Sequence, residues 1–151
     1  MSRPDFRGFS GVFRTTRKIE EKIVEPIAVV TVLAVFQLFS FAFLVGKQRV
    51  KHGVKAPAIT GEAEFERAFR IHQNTVEQSV IFIPAMWLFG YYVHALIGAA
   101  LGLVFVISRF IYRKSYLSEP TTRATGFGIG ALMMMILMIG GLIGAILSWI
   151  Q

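Results

Sequence analysis

The chain contains no cysteine. A disulfide framework, a thiolate metal site and a cysteine nucleophile are therefore excluded, and any thiol chemistry needs a thiol brought by a ligand. Charge is also scarce. Asp, Glu, Lys and Arg make up 17% of the 151 residues, against about 25% in ordinary soluble domains. Acid is scarcest: nine Asp and Glu stand against sixteen Lys and Arg, a net charge of +7. The basic residues fall into three groups, at 3–22, 47–70 and 109–123, with almost charge-free sequence between them. A nucleic-acid binder would carry a continuous basic face, so this pattern excludes that class. Hydrophobic residues make up 54% of the chain and collect in long runs, which points to lipid as the solvent for much of the surface.

Residues 1–25 form a polar N-terminal extension. Gly8, Gly11 and Pro4 predict mobility over 1–11, and 14–25 reads as a short helix lying on the membrane surface. The apolar run that follows is too long for a signal peptide. Four transmembrane spans are predicted within 26–151, at about 26–46, 62–91, 95–116 and 121–149. The first is about 31 Å long at 1.5 Å per residue, close to the hydrocarbon thickness. Pro26 suits a first helical turn, where its missing N–H costs nothing. Lys47, Arg49 and Lys51 end the span, and Gly53, Pro57 and Gly61 mark a loop. Pro84 should kink the second helix. The stretch 92–96 reads as a tight connection, and Glu119-Pro120 breaks the chain before the fourth helix. Glycines four apart, at 98/102, 126/130 and 140/144, allow close helix packing. The fold class is thus all-α, an integral membrane four-helix bundle. Ten Lys or Arg lie near the first and third loops and six in the N-terminal segment, so the positive-inside rule puts those loops in the cytoplasm.

The chemistry-bearing residues gather on two helices. At 100° per residue, Arg67, Arg70, Asn74, Glu77 and Gln78 share one face of the second helix. Arg109, Tyr112, Arg113 and Tyr116 share one face of the third, and Arg123 opens the fourth. Ionisable groups in a span cost a few kcal/mol each and need partners or a wet cavity, so these faces should converge at one end of the bundle. The result is a pocket rich in Arg, with one carboxylate, one amide and two phenols. Arg forks bind carboxylates in bidentate fashion, and Glu77 could hold an ammonium. A ligand with two carboxylates and an amine fits, and glutathione has that composition plus a thiol. An intrahelical ladder of Arg67 or Arg70 with Glu77 accounts for the second helix equally well. His72 lies off the stripe, His52 and His94 read as loop residues, and no histidine–carboxylate spacing suits a metal. Met133 to Met135, Met138 and Trp87 read as span packing.

At these residues the chain resembles the MAPEG family, membrane-associated proteins of eicosanoid and glutathione metabolism, and most closely the branch of leukotriene C4 synthase and microsomal glutathione transferases 2 and 3. Phe65-Glu66-Arg67-x-x-Arg70-x-x-x-Asn74-x-x-Glu77 resembles the family signature. Arg109-x-x-Tyr112-x-x-x-Tyr116 and Arg123-x-Thr125-Gly126-Phe127 follow at the family's spacing. The resemblance runs without gaps over about 47–132. It implies a homotrimer with glutathione bound between subunits as co-substrate, no metal, and a hydrophobic electrophile or lipid hydroperoxide as second substrate. It implies that Arg49, Arg70, Asn74, Glu77, Tyr112 and Tyr116 bind the tripeptide, and that Arg123 activates its thiol. His72 stands where leukotriene C4 synthase has a ligand-binding glutamine. The chain departs from the family at Gln78, where an aromatic is usual, and at Val50, where leukotriene C4 synthase has a second arginine. The retained Arg123 favours an enzyme, a glutathione transferase with possible peroxidase activity. A non-catalytic lipid- or glutathione-binding member of the family is the alternative. A bacterial inner membrane and the endoplasmic reticulum are both compatible hosts.

Overall fold

The computed structural model describes residues 7–118 and 124–151, with side chains from Val24 onward. Four helices follow in order: α1 (Arg7–His52), α2 (Ala63–Phe89), α3 (Ala95–Ser118) and α4 (Ala124–Trp149). Three helical stretches are long and apolar enough to cross a membrane: Val24–His52, Ala63–Ser118 and Ala124–Trp149. The middle one has 56 residues and is folded back on itself. Phe82 of α2 stacks on Phe105 of α3, their centroids 3.9 Å apart, while near the other end Asn74 meets Tyr112. Pairs that rise on one helix as they fall on the other mean antiparallel packing. The chain is an all-α, multi-pass membrane protein with a four-helix fold.

The reversal between α2 and α3 differs from the expected connection at 92–96. It is a π-type turn, Gly90–His94, beginning two residues earlier and helical throughout. Glycine at the first position explains the placement. A Cβ on Gly90 would lie 2.8 Å from Ile27 Cδ1, so α1 approaches the turn too closely for a larger residue. The N-terminal expectation is also corrected. Residues 14–25 are not a separate surface helix, because α1 runs unbroken from Arg7 and carries Pro26 in its interior. That proline deletes one backbone bond but does not break the rod. Of the stretch expected to be mobile, 7–11 is helical and the rest lies outside the described residues.

The core changes character along the bundle. At one end Ile27, Phe82, Met86, Phe89, Phe105 and Leu137 form the largest apolar cluster. Towards the other end a smaller cluster joins Phe41, Ile71 and Tyr112, and a third joins Val45, Phe65 and Ala68. Polar side chains enter between these layers. The outer faces stay apolar and exposed, as on α1 at Phe36, Phe39 and Phe43, which suits a lipid solvent or further protein. The three glycine pairs lie at helix contacts within the chain. Gly126 is the tightest against backbone: a Cβ there would be 2.5 Å from Tyr112 N and 2.7 Å from its Cα. Glycine therefore sets how near α4 lies to α3 beside Tyr112.

Candidate functional site

The polar side chains of α2 and α3 meet at the end of the bundle next to the 53–62 loop. Asn74 Nδ2 donates to Tyr112 Oη at 2.7 Å. Tyr112 is 1% exposed, and its ring lies 5.5 Å from that of the half-buried Tyr116. One turn further on, Arg67 Nη1 donates to the Leu117 carbonyl at 3.3 Å and ties the end of α3 to α2. Asn74, Tyr112 and Tyr116 are thus brought together by the packing of two helices. The i, i+4 spacing of the two tyrosines puts them on one face of α3.

The polar stripe of α2 does not enter the bundle as a unit. Gln78 is buried, Arg67 and Asn74 are half-buried, and Arg70 and Glu77 are exposed. Helical geometry explains the split. Gln78 lies about 80° around the axis from Arg70, and Glu77 about 20° to the other side. A stripe that wide straddles the edge of the packed face. The salt-bridge ladder is not formed. Glu77 Oε1 accepts from Gln73 Nε2 at 3.2 Å, and among the described residues neither Arg67 nor Arg70 pairs with Glu77. His72 is half-buried on the opposite border of the helix.

Arg109 departs from the expected pocket lining. It is 0% exposed and sits inside the bundle. Its Nη1 donates to Gln78 Oε1 at 3.0 Å, and its Nε and Nη2 donate to Thr75 Oγ1 at 3.3 and 2.8 Å. Its guanidinium carbon lies 4.1 Å from the Tyr112 ring centroid. Arg113, on the same face by periodicity, turns instead towards α1 and lies 5.3 Å from the Phe41 ring. Sequence reasoning missed Thr75. A lone hydroxyl in a span gives no distinguishing signal, because Ser and Thr usually satisfy themselves on a backbone carbonyl one turn back.

Arg49 is half-buried and occupied by its own loop. Nη1 donates to the Ala58 carbonyl at 2.7 Å, and the guanidinium lies 4.7 Å from the Phe65 ring. Glu64, in the first turn of α2, pairs with Lys51 and meets His52 Nε2 at 3.2 Å. His52 is therefore the last residue of α1 and a bridge to α2. His94 lies in the π turn, and its Nδ1 accepts from the Ile97 N–H at 3.4 Å. Trp87 Nε1 donates to Thr31 Oγ1 at 3.0 Å, joining α2 to α1. Arg123, the expected thiol activator, lies outside the described residues, as does Glu119-Pro120. Below Arg49, the outer face of α1 carries an open apolar groove of about 770 Å³ lined by Phe39, Ala42, Phe43, Gly46, Lys47 and Val50.

The chain is thus a membrane-embedded four-helix bundle with a phenol–amide–guanidinium cluster near one end. The chain belongs to the MAPEG family, whose model matches residues 27–143. It is 38% identical to the human microsomal glutathione S-transferase 2 over 125 residues, covering 83% of this chain and 85% of that protein. It is 40% identical to an uncharacterised protein of Synechocystis sp. over 116 residues, 77% of this chain and 85% of the other. Leukotriene C4 synthase of Cavia porcellus is 34% identical over 100 residues, 66% of this chain and 67% of that one. The chain is similar at family level to glutathione-dependent membrane enzymes.

Proposed function

We propose that the chain is a membrane glutathione transferase that binds the tripeptide at the Asn74–Tyr112–Tyr116 cluster and activates its sulfur as a thiolate. The observation that carries this reading is the part-buried Asn74–Tyr112 hydrogen bond at 2.7 Å, with the half-buried Tyr116 beside it. It makes a polar surface that joins α2 to α3 at the end of the bundle next to the 53–62 loop. Arg70 and Glu77 are exposed on the outer face of α2, flanking Asn74. They supply one cation and one carboxylate to a ligand that carries both charges. Because they point away from their own bundle, a ligand reaching them and the tyrosines would lie between two copies of the chain, which supports a homotrimer. Arg49 spends one guanidinium N–H on the Ala58 carbonyl and has others left for a ligand carboxylate. His72 is a peripheral polar contact in this reading. No metal takes part.

The chemistry follows from thiol acidity. A thiol with pKa about 8.5 is only about 3% thiolate at pH 7. Lowering that pKa by two units takes about 2.7 kcal/mol and gives about 75% thiolate. A guanidinium near sulfur in a partly dry site supplies stabilisation of that order, and Arg123 is assigned this role. The thiolate attacks an electrophilic carbon, forming a C–S bond while the bond to a leaving group breaks, or while the π pair of an activated double bond moves to the far atom and is protonated from solvent. With a lipid hydroperoxide it attacks the terminal peroxide oxygen instead, giving peroxidase activity; the O–O bond breaks, the lipid leaves as an alkoxide that is protonated to the alcohol, and a second glutathione thiol condenses with the sulfenic acid to give the disulfide and water. The apolar partner would lie along the α1 groove. Val50, 86% exposed at its upper edge, adds no charge there, and Lys47 is the cation among the residues that line the groove. The excess of Lys and Arg near the first and third loops supports a site at the cytoplasmic face.

The second reading is a non-catalytic lipid- or glutathione-binding member of the family. An ultraviolet difference spectrum of detergent-purified protein with glutathione separates the two. A thiolate band at neutral pH, followed by conjugation of a generic electrophile, supports the enzyme. Binding without the band supports the second reading, and no binding removes both glutathione readings.

A further inference from the structure

The least economical feature of the bundle is the buried Arg109. A guanidinium held between spans costs several kcal/mol of desolvation, and an apolar side chain of similar volume would fill the same space at lower cost. Its hydrogen-bond acceptors among the described residues are neutral: the Thr75 hydroxyl and the Gln78 carboxamide. No carboxylate repays the burial there. The contacts have a direction, however. The Thr75 hydroxyl spends its own proton on the Ile71 carbonyl at 2.7 Å, so its oxygen can only accept, and both Arg109 bonds arrive on that side. Gln78 must turn its amide oxygen to the guanidinium, because a guanidinium can only donate.

The cation so held lies against the face of Tyr112 at 4.1 Å, where the negative face of the ring attracts it. The tip of the same ring is held by Asn74, the residue preceding Thr75. A closed circuit results, from Thr75 on α2 to Arg109 on α3, across the ring to the Tyr112 oxygen, and back to Asn74 on α2. The phenol is located at two points, face and tip, by neighbouring residues of one helix. We propose that Arg109, fixed by Thr75 and Gln78, is a positioning residue that sets the Tyr112 phenol for glutathione. This inference rests on the glutathione reading given above.

The test uses the full chain in detergent and the isosteric Thr75→Val, which removes the acceptor of two Arg109 bonds and adds no volume. KM for glutathione should rise about tenfold, equivalent to about 1.4 kcal/mol, with kcat and the KM for the electrophile unchanged. Thr75→Ser restores the hydroxyl and should restore KM. In a Tyr112→Phe background Thr75→Val should add little, because its effect passes through the phenol. Gln78→Leu, which removes the third bond, serves as the second variant if Thr75→Val does not fold, with the same direction expected. An unchanged KM in the folded variant, or an effect that adds in full to Tyr112→Phe, overturns the proposal. A readout without glutathione separates this failure from failure of the functional reading. In protein labelled with 3-fluorotyrosine, the Tyr112 resonance, assigned by its loss in Tyr112→Phe, should shift in Thr75→Val and return in Thr75→Ser. If wild-type protein does not bind glutathione but the resonance behaves so, positioning of the phenol stands and the glutathione reading falls. A resonance indifferent to Thr75→Val refutes the positioning itself.

Discussion

Two glycines of α4 lie two residues apart and should respond to the same substitution in opposite ways. A Cβ at Gly126 would sit 2.5 Å from Tyr112 N, 2.7 Å from its Cα and 3.0 Å from the Ser108 carbonyl oxygen. These are backbone atoms, which no rotamer change can move. Carbon contacts relax at about 3.5–4.0 Å, so Gly126→Ala must push α3 and α4 apart by about 1 Å. Overpacking of this kind costs about 1–3 kcal/mol. The displaced segment also carries Tyr112, and a misplacement of about 1 Å at a site can cost about a hundredfold in rate. At Gly128 an added Cβ meets nothing within 4 Å, and alanine is favoured over glycine within a helix by about 1 kcal/mol. Thermal unfolding in detergent and glutathione conjugation should therefore both fall in Gly126→Ala. Gly128→Ala should unfold at the same or a higher temperature, with activity retained. Equal behaviour of the two variants would refute the close-approach argument, because helix propensity alone treats both glycines alike.

Other substitutions test the remaining contacts. Asn74→Leu leaves the Tyr112 phenol without its donor, and a double-mutant cycle with Tyr112→Phe should give a coupling of about 1 kcal/mol in glutathione affinity; a coupling near zero would mean the bond is incidental. Arg123→Ala should abolish the thiolate band and cut turnover strongly while glutathione affinity falls only mildly, and unaffected turnover would remove its role as activator. Lys51→Ala breaks an ion pair whose partners are both 55% exposed, so the unfolding temperature should stay close to that of the unsubstituted protein, and a clear drop would mean that the pair ties α1 to α2. Arg49→Lys loses the Nη1 bond to the Ala58 carbonyl and the stacking on Phe65; proteolysis within 53–62 should quicken if that arginine holds the loop.

Much of the architecture is legible in the residue order because lipid imposes it. Runs of apolar residues, the charge clusters between them and the glycine–proline loop identify a multi-pass helical protein. The spacing of Asn74, Tyr112 and Tyr116 already marks polar faces inside spans. Periodicity gives each side chain's angle relative to its neighbours on one helix. It does not say which way the helix is turned. Arg70, Asn74 and Gln78 look equivalent along the chain, yet one is exposed, one half-buried and one buried, because the rotation of α2 is decided by Ile71, Phe82 and Met86 finding space against α1 and α3. Arg109 and Arg113 are separated in the same way, one entering the interior onto Thr75 and Gln78 and the other lying over Phe41. Local sequence thus determines that these segments cross as helices and which side chains share a face, but not where α1 begins or how α2 turns into α3. Only packing between helices, a property of all four together, decides which of those polar groups meet and which are left facing outward.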